Sequence, residues 1–234
     1  MKYLILSSPR TGSTMLAAAL NATGRAGRLK EYFHLDNLAE RGSPEQTKQS
    51  MLAYYTDVVS ANTSANGVFG MKLHFNQFYH VFGGKQIGMG NGVSFVKGFD
   101  RHVLIYRRDK ILQAVSELIA NKTDLWNTSD TTLAGRARME FSDADIPLLG
   151  QIMSRQLSEE YAWRSLLQDF SITAHELAYE DLVGKTDAEL AKLAAYLAIP
   201  DLGPLMATQD TIKLTDVTAT AVIKQRFLAA LGAS

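Results

Sequence analysis

Residues 7–14 of the chain read Ser-Ser-Pro-Arg-Thr-Gly-Ser-Thr and decide the fold, because they join a short apolar run at residues 3–6 to a helix that we expect to begin near Ser13. A strand, a tight polar turn and a helix N-terminus together form an anion site, since the first amide groups of a helix have no partner within it. Further hydroxyl donors lie on Ser8, Thr11, Ser13 and Thr14. The stretch predicts phosphate binding, and the alternative is a polar helix cap followed by a solvated arginine.

The turn differs from the nucleotide-binding pattern G-x-x-x-x-G-K-[ST]. Gly12 and Thr14 match its second glycine and its final hydroxyl, but Ser13 replaces the lysine and the first glycine is missing. Without that lysine, the nearest cation is Arg10, whose planar guanidinium suits an oxyanion. The turn is therefore not an ordinary ATP or GTP loop.

Composition limits the classes of function that need to be considered. The chain has 234 residues, 46% of them hydrophobic, which is enough for one α/β domain over residues 1–234; two smaller domains are the alternative. Lysine plus arginine equals aspartate plus glutamate at 24 each, so no net charge favours nucleic acid or an anionic membrane. The absence of cysteine excludes disulfides and thiolate metal sites. The N-terminal apolar run is too short for a signal peptide or a membrane span, and we expect a cytoplasmic protein.

Glu31 is a candidate general base. It stands in A-G-R-L-K-E-Y-F-H, residues 26–34, between basic and aromatic neighbours. Shielding by Tyr32 and Phe33 would raise the pKa of the Glu31 carboxyl, which suits proton acceptance. The alternative is a surface glutamate beside core aromatics.

Lys72 is unusual because it lies in a mostly apolar predicted strand, residues 68–75. It either snorkels from the strand end or faces an anion at the carboxyl edge of the sheet. The following residues 83–92 contain five glycines, and we interpret them as a flexible loop rather than a nucleotide fingerprint.

Arg107 and Arg108 stand where a second buried strand, residues 102–106, ends and a helix begins. Open α/β sheets bind their ligands at this edge, and Ser116, two turns into the helix, would add a hydroxyl on the same side. The alternative is a solvated charge cluster that caps the helix.

The remaining chain continues the α/β pattern. Trp126 lies in a polar segment that either covers a site or closes the core. Residues 143–170 predict one long helix or two shorter ones, and residues 171–178 predict a strand that is followed directly by Tyr179. A helix then ends before Pro200, and an amphipathic helix ends the chain.

Three motifs in this order resemble the sulfotransferases that use 3′-phosphoadenosine 5′-phosphosulfate (PAPS): S-S-P-R-T-G-S-T, Y-R-R-D-K-I-L-Q-A-V-S, and A-Y-E-D-L before an amphipathic helix. The segments A-G-R-L-K-E-Y-F and G-M-K-L-H-F-N-Q resemble the bacterial trehalose 2-sulfotransferase and Nod-factor sulfotransferase group. The resemblance implies a P-loop-like three-layer α/β sandwich with a central, mainly parallel sheet and the site at its C-terminal edge.

The resemblance also implies residue roles for the donor. The turn Pro9 to Thr14 would hold the 5′-phosphosulfate, with Arg10 balancing charge at the transferring group. The 3′-phosphate would lie on Ser116 and one arginine; an eight-residue spacing selects Arg108, whereas the strand-end position selects Arg107. Tyr179 would lie near the adenine.

For the acceptor, the resemblance implies Glu31 as general base, and Lys72, His34 and Trp126 are candidate contacts.

We expect transfer of a sulfuryl group from PAPS to a hydroxyl of a carbohydrate or small polar metabolite, with no metal and no nucleic acid. A homodimer is one oligomeric state that the sequence allows. The alternatives are an atypical P-loop kinase and a nucleotide-binding module without catalysis. The glycine-rich C-terminal phosphate motif of animal sulfotransferases is absent, which leaves Lys213, Lys224 or Arg226 as substitutes.

Overall fold

The central sheet consists of parallel strands. The computed structural model describes residues 1–40, 47–124, 126, 141–200, 202–203, 205 and 217–232. The strands within these ranges are β1 (Lys2–Ser7), β2 (Phe69–His74), β3 (Arg101–Tyr106) and β4 (His175–Ala178). They pair in the order β2-β1-β3-β4, every pair parallel. The predicted parallel sheet is confirmed, although β4 is shorter than the predicted 171–178.

The helices follow the strands along the chain. They are α1 (Ser13–Ala22), α2 (Leu35–Glu40), α3 (Lys48–Asn62), α4 (Phe75–Phe82), α5 (Met89–Lys97), α6 (Lys110–Thr123), α7 (Asp145–Asp169), α8 (Tyr179–Gly184), α9 (Thr186–Leu197) and α10 (Val217–Gly232). The predicted helical stretch at residues 143–170 forms the single helix α7. In the described part of the chain, no helix is long and apolar enough to cross a membrane.

Alternation along β1 produces the three layers. Tyr3 and Ile5 face one way and pack with residues of α1 and α9, while Leu4 and Leu6 face the other way and pack with residues of α4, α5 and α7. Successive side chains of a strand point to opposite faces, so a strand buried on both sides is mostly apolar, as residues 3–6 are. The three-layer, P-loop-like sandwich predicted from the sequence is therefore confirmed.

A third apolar cluster joins α6, α7 and α10 beside the sheet. Its buried members include Val115 and Leu118 from α6, Ile152 from α7, and Ile223 and Phe227 from α10. This packing places α6 and α7 next to the loop that follows β1.

The glycine-rich segment is only in part the loop that we expected, because residues 83–88 connect α4 to α5 but residues 89–92 are helical. Gly90 and Gly92 lie in α5. A Cβ atom at Gly92 would lie 2.8 Å from both Phe78 Cζ and Phe82 Cβ, so the missing side chain lets α5 approach α4 closely. The prediction was wrong for residues 89–92, because a glycine required by helix packing has the same composition signal as one in a loop.

Because the strands are parallel, their carboxyl ends meet at one edge of the sheet. Ser7, the last residue of β1, is in register with His74, the last residue of β2. Tyr106 ends β3 and pairs with Ala178 of β4 at the same edge. The turn after β1, the end of β2 and the arginines after β3 therefore converge.

The packing of β1 against β2 gives a first test of the structure. A Cβ atom at Gly70 would lie 2.5 Å from Cζ and 2.6 Å from Oη of Tyr3, a fully buried ring whose hydroxyl donates to the Ala26 carbonyl. We expect Gly70→Ala to lower the free energy of unfolding by about 1–3 kcal/mol, as overpacking does, measured by urea denaturation. Gly90→Ala is the matched control: nothing lies within 4 Å of its Cβ, and because Gly90 is helical the change should be neutral or should stabilise the protein by up to about 1 kcal/mol. Equal midpoints for the two variants would contradict the β1–β2 register.

Candidate functional site

The turn between β1 and α1 has the shape of an anion-binding loop. Arg10 and Gly12 both have left-handed backbone, with φ of 65° and 83°. Such residues among ordinary ones turn successive amide groups toward a common point. Gly12 is the N-cap residue of α1 and makes no side-chain cap, which leaves the first amides of the helix for a ligand.

Buried contacts hold this loop from several sides. The Thr11 hydroxyl donates to the Ser8 carbonyl at 3.1 Å, and the indole Nε1 of Trp163 in α7 donates to the Ser7 carbonyl at 3.0 Å. The Tyr179 ring lies so close to Gly12 that a Cβ there would be 2.7 Å from its Cδ2. Gly12 is therefore required both by its backbone conformation and by contact with Tyr179.

The backbone around Glu31 is fixed beside β2. The carbonyl of Lys30 accepts from the amide of Lys72 at 3.1 Å, and the carbonyl of Glu31 accepts from the His34 amide at 3.0 Å and from Asn37 Nδ2 at 2.8 Å. These bonds hold the segment along the edge of the sheet, with Glu31 at the carboxyl end of β2.

Three side chains from β2 and α4 bind the carboxylate of Glu31. Lys72 Nζ lies 2.6 Å from its Oε1, and His74 Nε2 lies 3.3 Å from the same oxygen. Gln77 Nε2 donates to Oε2 at 2.5 Å. Lys72 also donates to Thr14 Oγ1 at 2.9 Å, so one buried ammonium connects the carboxylate to the start of α1.

The surroundings of Glu31 lower its pKa, which corrects the expectation of a raised value. Burial raises the pKa of the carboxyl, but the charges and hydrogen bonds of His74 and Lys72 outweigh burial and hold the pKa well below its usual range. Tyr32 and Phe33 pack into the core, and Tyr32 stacks on Phe69. The aromatic neighbours seen in the sequence therefore do not control the charge of Glu31, which is ionised at neutral pH.

Arg10 turns toward α6. Its Nε donates to Ser116 Oγ at 3.0 Å, and its Nη1 donates to the carbonyl of Trp126 at 2.7 Å. A hydrogen bond thus connects Arg10, which is predicted to bind the 5′-phosphosulfate, to Ser116, which is predicted to bind the 3′-phosphate. Trp126 reaches this cluster through its backbone, and its side chain is 41% exposed.

Arg107 and Arg108 have different surroundings. The Arg107 guanidinium packs over the Tyr179 ring at 4.5 Å. Its buried Nε has no hydrogen-bond partner among the described residues and lies 4.0 Å from Glu180 Oε1. Arg108 is half exposed, and both terminal nitrogens of its guanidinium donate to the carboxylate of Asp181 in α8. Arg107 is thus shielded from solvent by packing against Tyr179, whereas Arg108 binds the Asp181 carboxylate at the surface.

The side chains of the other predicted residues pair with acidic groups outside the Glu31 cluster. His34 is about half exposed and contacts Asp36, with 3.3 Å between Nδ1 and Oδ2. Lys224 pairs with Asp109, the N-cap residue of α6, and Arg226 pairs with Asp143, so both tie α10 to its neighbours. Lys213 lies outside the described residues.

Several polar residues of the site were missed by the sequence analysis. His74, whose Nδ1 lies 2.9 Å from Ser7 Oγ, follows Lys72 by two positions, and alternation along a strand would have placed both on one side. Gln77 falls one helical turn into α4. Gln113, three positions before Ser116 on α6, binds the loop itself, and helical spacing could have indicated it.

One cavity of the described structure lies away from these residues. It has a volume of about 620 Å³, lies at the amino-terminal edge of the sheet, and is lined by residues including Arg101, Phe170 and Tyr196. None of the predicted site residues lines it, and those at the strand ends lie at the opposite edge of the sheet. Across the described residues, no group of three or more histidine, aspartate or glutamate side chains is arranged to hold a metal ion.

Known proteins resemble the chain along most of its length. It is 27% identical over 211 residues to "Trehalose 2-sulfotransferase" from Mycolicibacterium smegmatis, with 76% of each chain covered. It is 25% identical over 237 residues to "Trehalose 2-sulfotransferase" from Mycobacterium tuberculosis, with 86% of each covered. Among solved structures, "Sulfotransferase Domain from the Synechococcus PCC 7002 Olefin Synthase" has a TM-score of 0.45 at 17% identity, covering 93% of this chain and 82% of that one.

The chain also matches a protein family over almost its whole length. Residues 2–225 match the family described as "Stf0 sulphotransferase", which confirms the resemblance found in the motifs and decides against the kinase alternative. The chain therefore belongs to the Stf0 sulfotransferase family.

Proposed function

We propose that this sulfotransferase, acting as a single domain, transfers a sulfuryl group from PAPS to a carbohydrate hydroxyl, with Glu31 as general base. The observation that supports it best is the position of Lys72, whose Nζ lies 2.6 Å from the Glu31 carboxylate and 2.9 Å from the Thr14 hydroxyl. A proton acceptor and an anion-binding helix N-terminus are thus linked by one cation. Transfer from a bound phosphosulfate needs a base and a site for the departing phosphate held close together, and this arrangement would supply both.

In this reaction, the acceptor oxygen attacks sulfur, and the bond between sulfur and the 5′-phosphate oxygen breaks, so that its electron pair stays on the phosphate. The hydroxyl proton passes to Glu31. The loop amides and Arg10 stabilise charge on the departing phosphate, and Lys72 stabilises charge on the sulfuryl group beside Glu31. Positioned bases and donors of this kind each contribute on the order of 10²–10³ in rate.

For the 3′-phosphate, we favour Arg108 with Ser116. An exposed ion pair such as Arg108–Asp181 contributes little to stability, and a dianionic phosphate can replace the Asp181 carboxylate on the same guanidinium. Arg107 is shielded and stacks on Tyr179, so it would orient the ring that meets the adenine. The names of the trehalose-sulfating relatives make a disaccharide the first acceptor to test.

The direct test is an assay without added metal, in which the protein is incubated with PAPS and a panel of sugars that begins with trehalose. We expect a sulfated sugar and release of adenosine 3′,5′-bisphosphate, both detected by mass spectrometry. Transfer of phosphate from ATP to the same panel, with none of sulfate from PAPS, would refute the proposal.

The second test concerns Glu31. We expect Glu31→Gln to slow sulfate transfer at least about a hundredfold, because the amide cannot accept the hydroxyl proton. Its affinity for adenosine 3′,5′-bisphosphate should stay within a few-fold of the parent, as measured by calorimetry. Asp36→Asn, which removes a nearby exposed carboxylate, is the control and should leave turnover unchanged. If Glu31→Gln kept the parental turnover, another residue would be the general base, and His74 would be the next candidate. If the variant lost affinity for the nucleotide, the role of Glu31 would be structural.

The third test separates the two arginines. The parent should bind adenosine 3′,5′-bisphosphate more tightly than adenosine 5′-phosphate, and Arg108→Gln should remove most of this preference. Charge-assisted hydrogen bonds contribute about 1.5–3 kcal/mol each, so the loss should be about tenfold or more in Kd. A larger loss in Arg107→Gln would assign the 3′-phosphate to Arg107, whose buried Nε offers a hydrogen-bond donor.

A further inference from the structure

Gln113 is a fully buried side chain that binds the phosphate loop from α6. Its Nε2 donates to Ser8 Oγ at 2.9 Å and to the carbonyl of Pro9 at 2.8 Å. Its Oε1 accepts from Lys110 Nζ at 3.3 Å, so both ends of the amide are engaged. The orientation of the Gln113 amide is therefore fixed, and two adjacent loop residues depend on it.

The bond to the Pro9 carbonyl controls the direction of the next amide group. The described chain contains no cis peptide bond, and in a trans peptide the C=O and the following N–H point in opposite directions. Because the Pro9 carbonyl points at Gln113, the N–H of Arg10 points away from α6. Rotation of this peptide plane would exchange the two groups and turn a carbonyl oxygen toward the side where the N–H now lies.

The loop needs such support because its backbone is strained. Arg10 has a φ of 65°, in the left-handed region that a non-glycine residue rarely occupies. Such conformations cost of order 1–3 kcal/mol and persist only where the surroundings hold them. Gln113 supplies its two hydrogen bonds directly before this residue.

We propose that Gln113 is a positioning residue for donor binding: it holds the Pro9–Arg10 peptide plane so that the amide of Arg10 faces the 5′-phosphate. This rests on the proposed function insofar as the loop binds the 5′ end of the donor. Gln113 itself touches no substrate and acts only through the loop.

Gln156 provides a matched control. It is also fully buried, lies on the neighbouring helix α7, and its Nε2 donates to Glu117 Oε2 at 2.7 Å. A Gln→Met change at either position removes a buried amide of similar size from the α6–α7 region. Loss of packing or of a buried hydrogen bond is therefore common to both variants, whereas a contact with the loop is lost only in Gln113→Met.

The binding experiment uses calorimetry with two nucleotides, adenosine 3′,5′-bisphosphate and adenosine 3′-phosphate. We expect Gln113→Met to raise the Kd of the bisphosphate about tenfold and that of the 3′-phosphate less than threefold, because only the 5′-phosphate meets the loop. Gln156→Met should leave both Kd values within threefold of the parent. Equal losses for the two nucleotides, or the same loss in both variants, would overturn the proposal.

Hydrogen exchange tests the same inference without a ligand. The amides of residues 10–13 should exchange faster in Gln113→Met than in the parent or in Gln156→Met, since the peptide plane is no longer held. Unchanged exchange would overturn the positioning role even if affinity fell. A parent protein that binds neither nucleotide would refute the proposed donor, while the exchange rates would still decide what Gln113 does to the loop.

Discussion

The strained turn between β1 and α1 is the constraint on which the rest of the structure depends. An anion site of this kind needs amide groups that are left unpaired at the end of a strand and the start of a helix. Such groups keep their direction only if the surrounding residues fix the backbone, and here α7, α6 and α8 each contribute a side chain that contacts the turn: Trp163, Gln113 and Tyr179. The three helices therefore serve the loop as well as the core.

The charge around Glu31 follows from the same geometry. Lys72 is almost fully buried, and an unpaired buried ammonium is costly, so the ionised carboxylate stabilises the lysine as much as the lysine stabilises it. A carboxylate whose pKa is held low is a weak base but is always available to accept a proton. An anionic donor group near Lys72 would draw the ammonium away from the carboxylate and strengthen Glu31 as a base when the acceptor hydroxyl must lose its proton.

Local patterns were sufficient to predict the strands and the turn between β1 and α1, because apolar runs and helix starts are encoded by near neighbours. Partner identities were not predictable in this way. Glu31 meets Lys72 and His74 because its segment runs beside β2, where the Lys72 amide donates to the Lys30 carbonyl, and no local pattern specifies that pairing. The helix containing Gly92 was missed for a similar reason, since its glycine is explained by rings of α4 rather than by its own segment.

Helix α6 connects the two ends of the proposed donor site. Gln113 holds the loop at Pro9, and one turn later Ser116 accepts a hydrogen bond from Arg10. Residues three positions apart lie on the same face of a helix, so these contacts cannot move independently. The N-cap of α6, Asp109, is in turn paired with Lys224 of α10. Loop conformation and the proposed contact of Ser116 with the second phosphate thus depend on one helix, and a displacement of α6 would alter both proposed phosphate positions together.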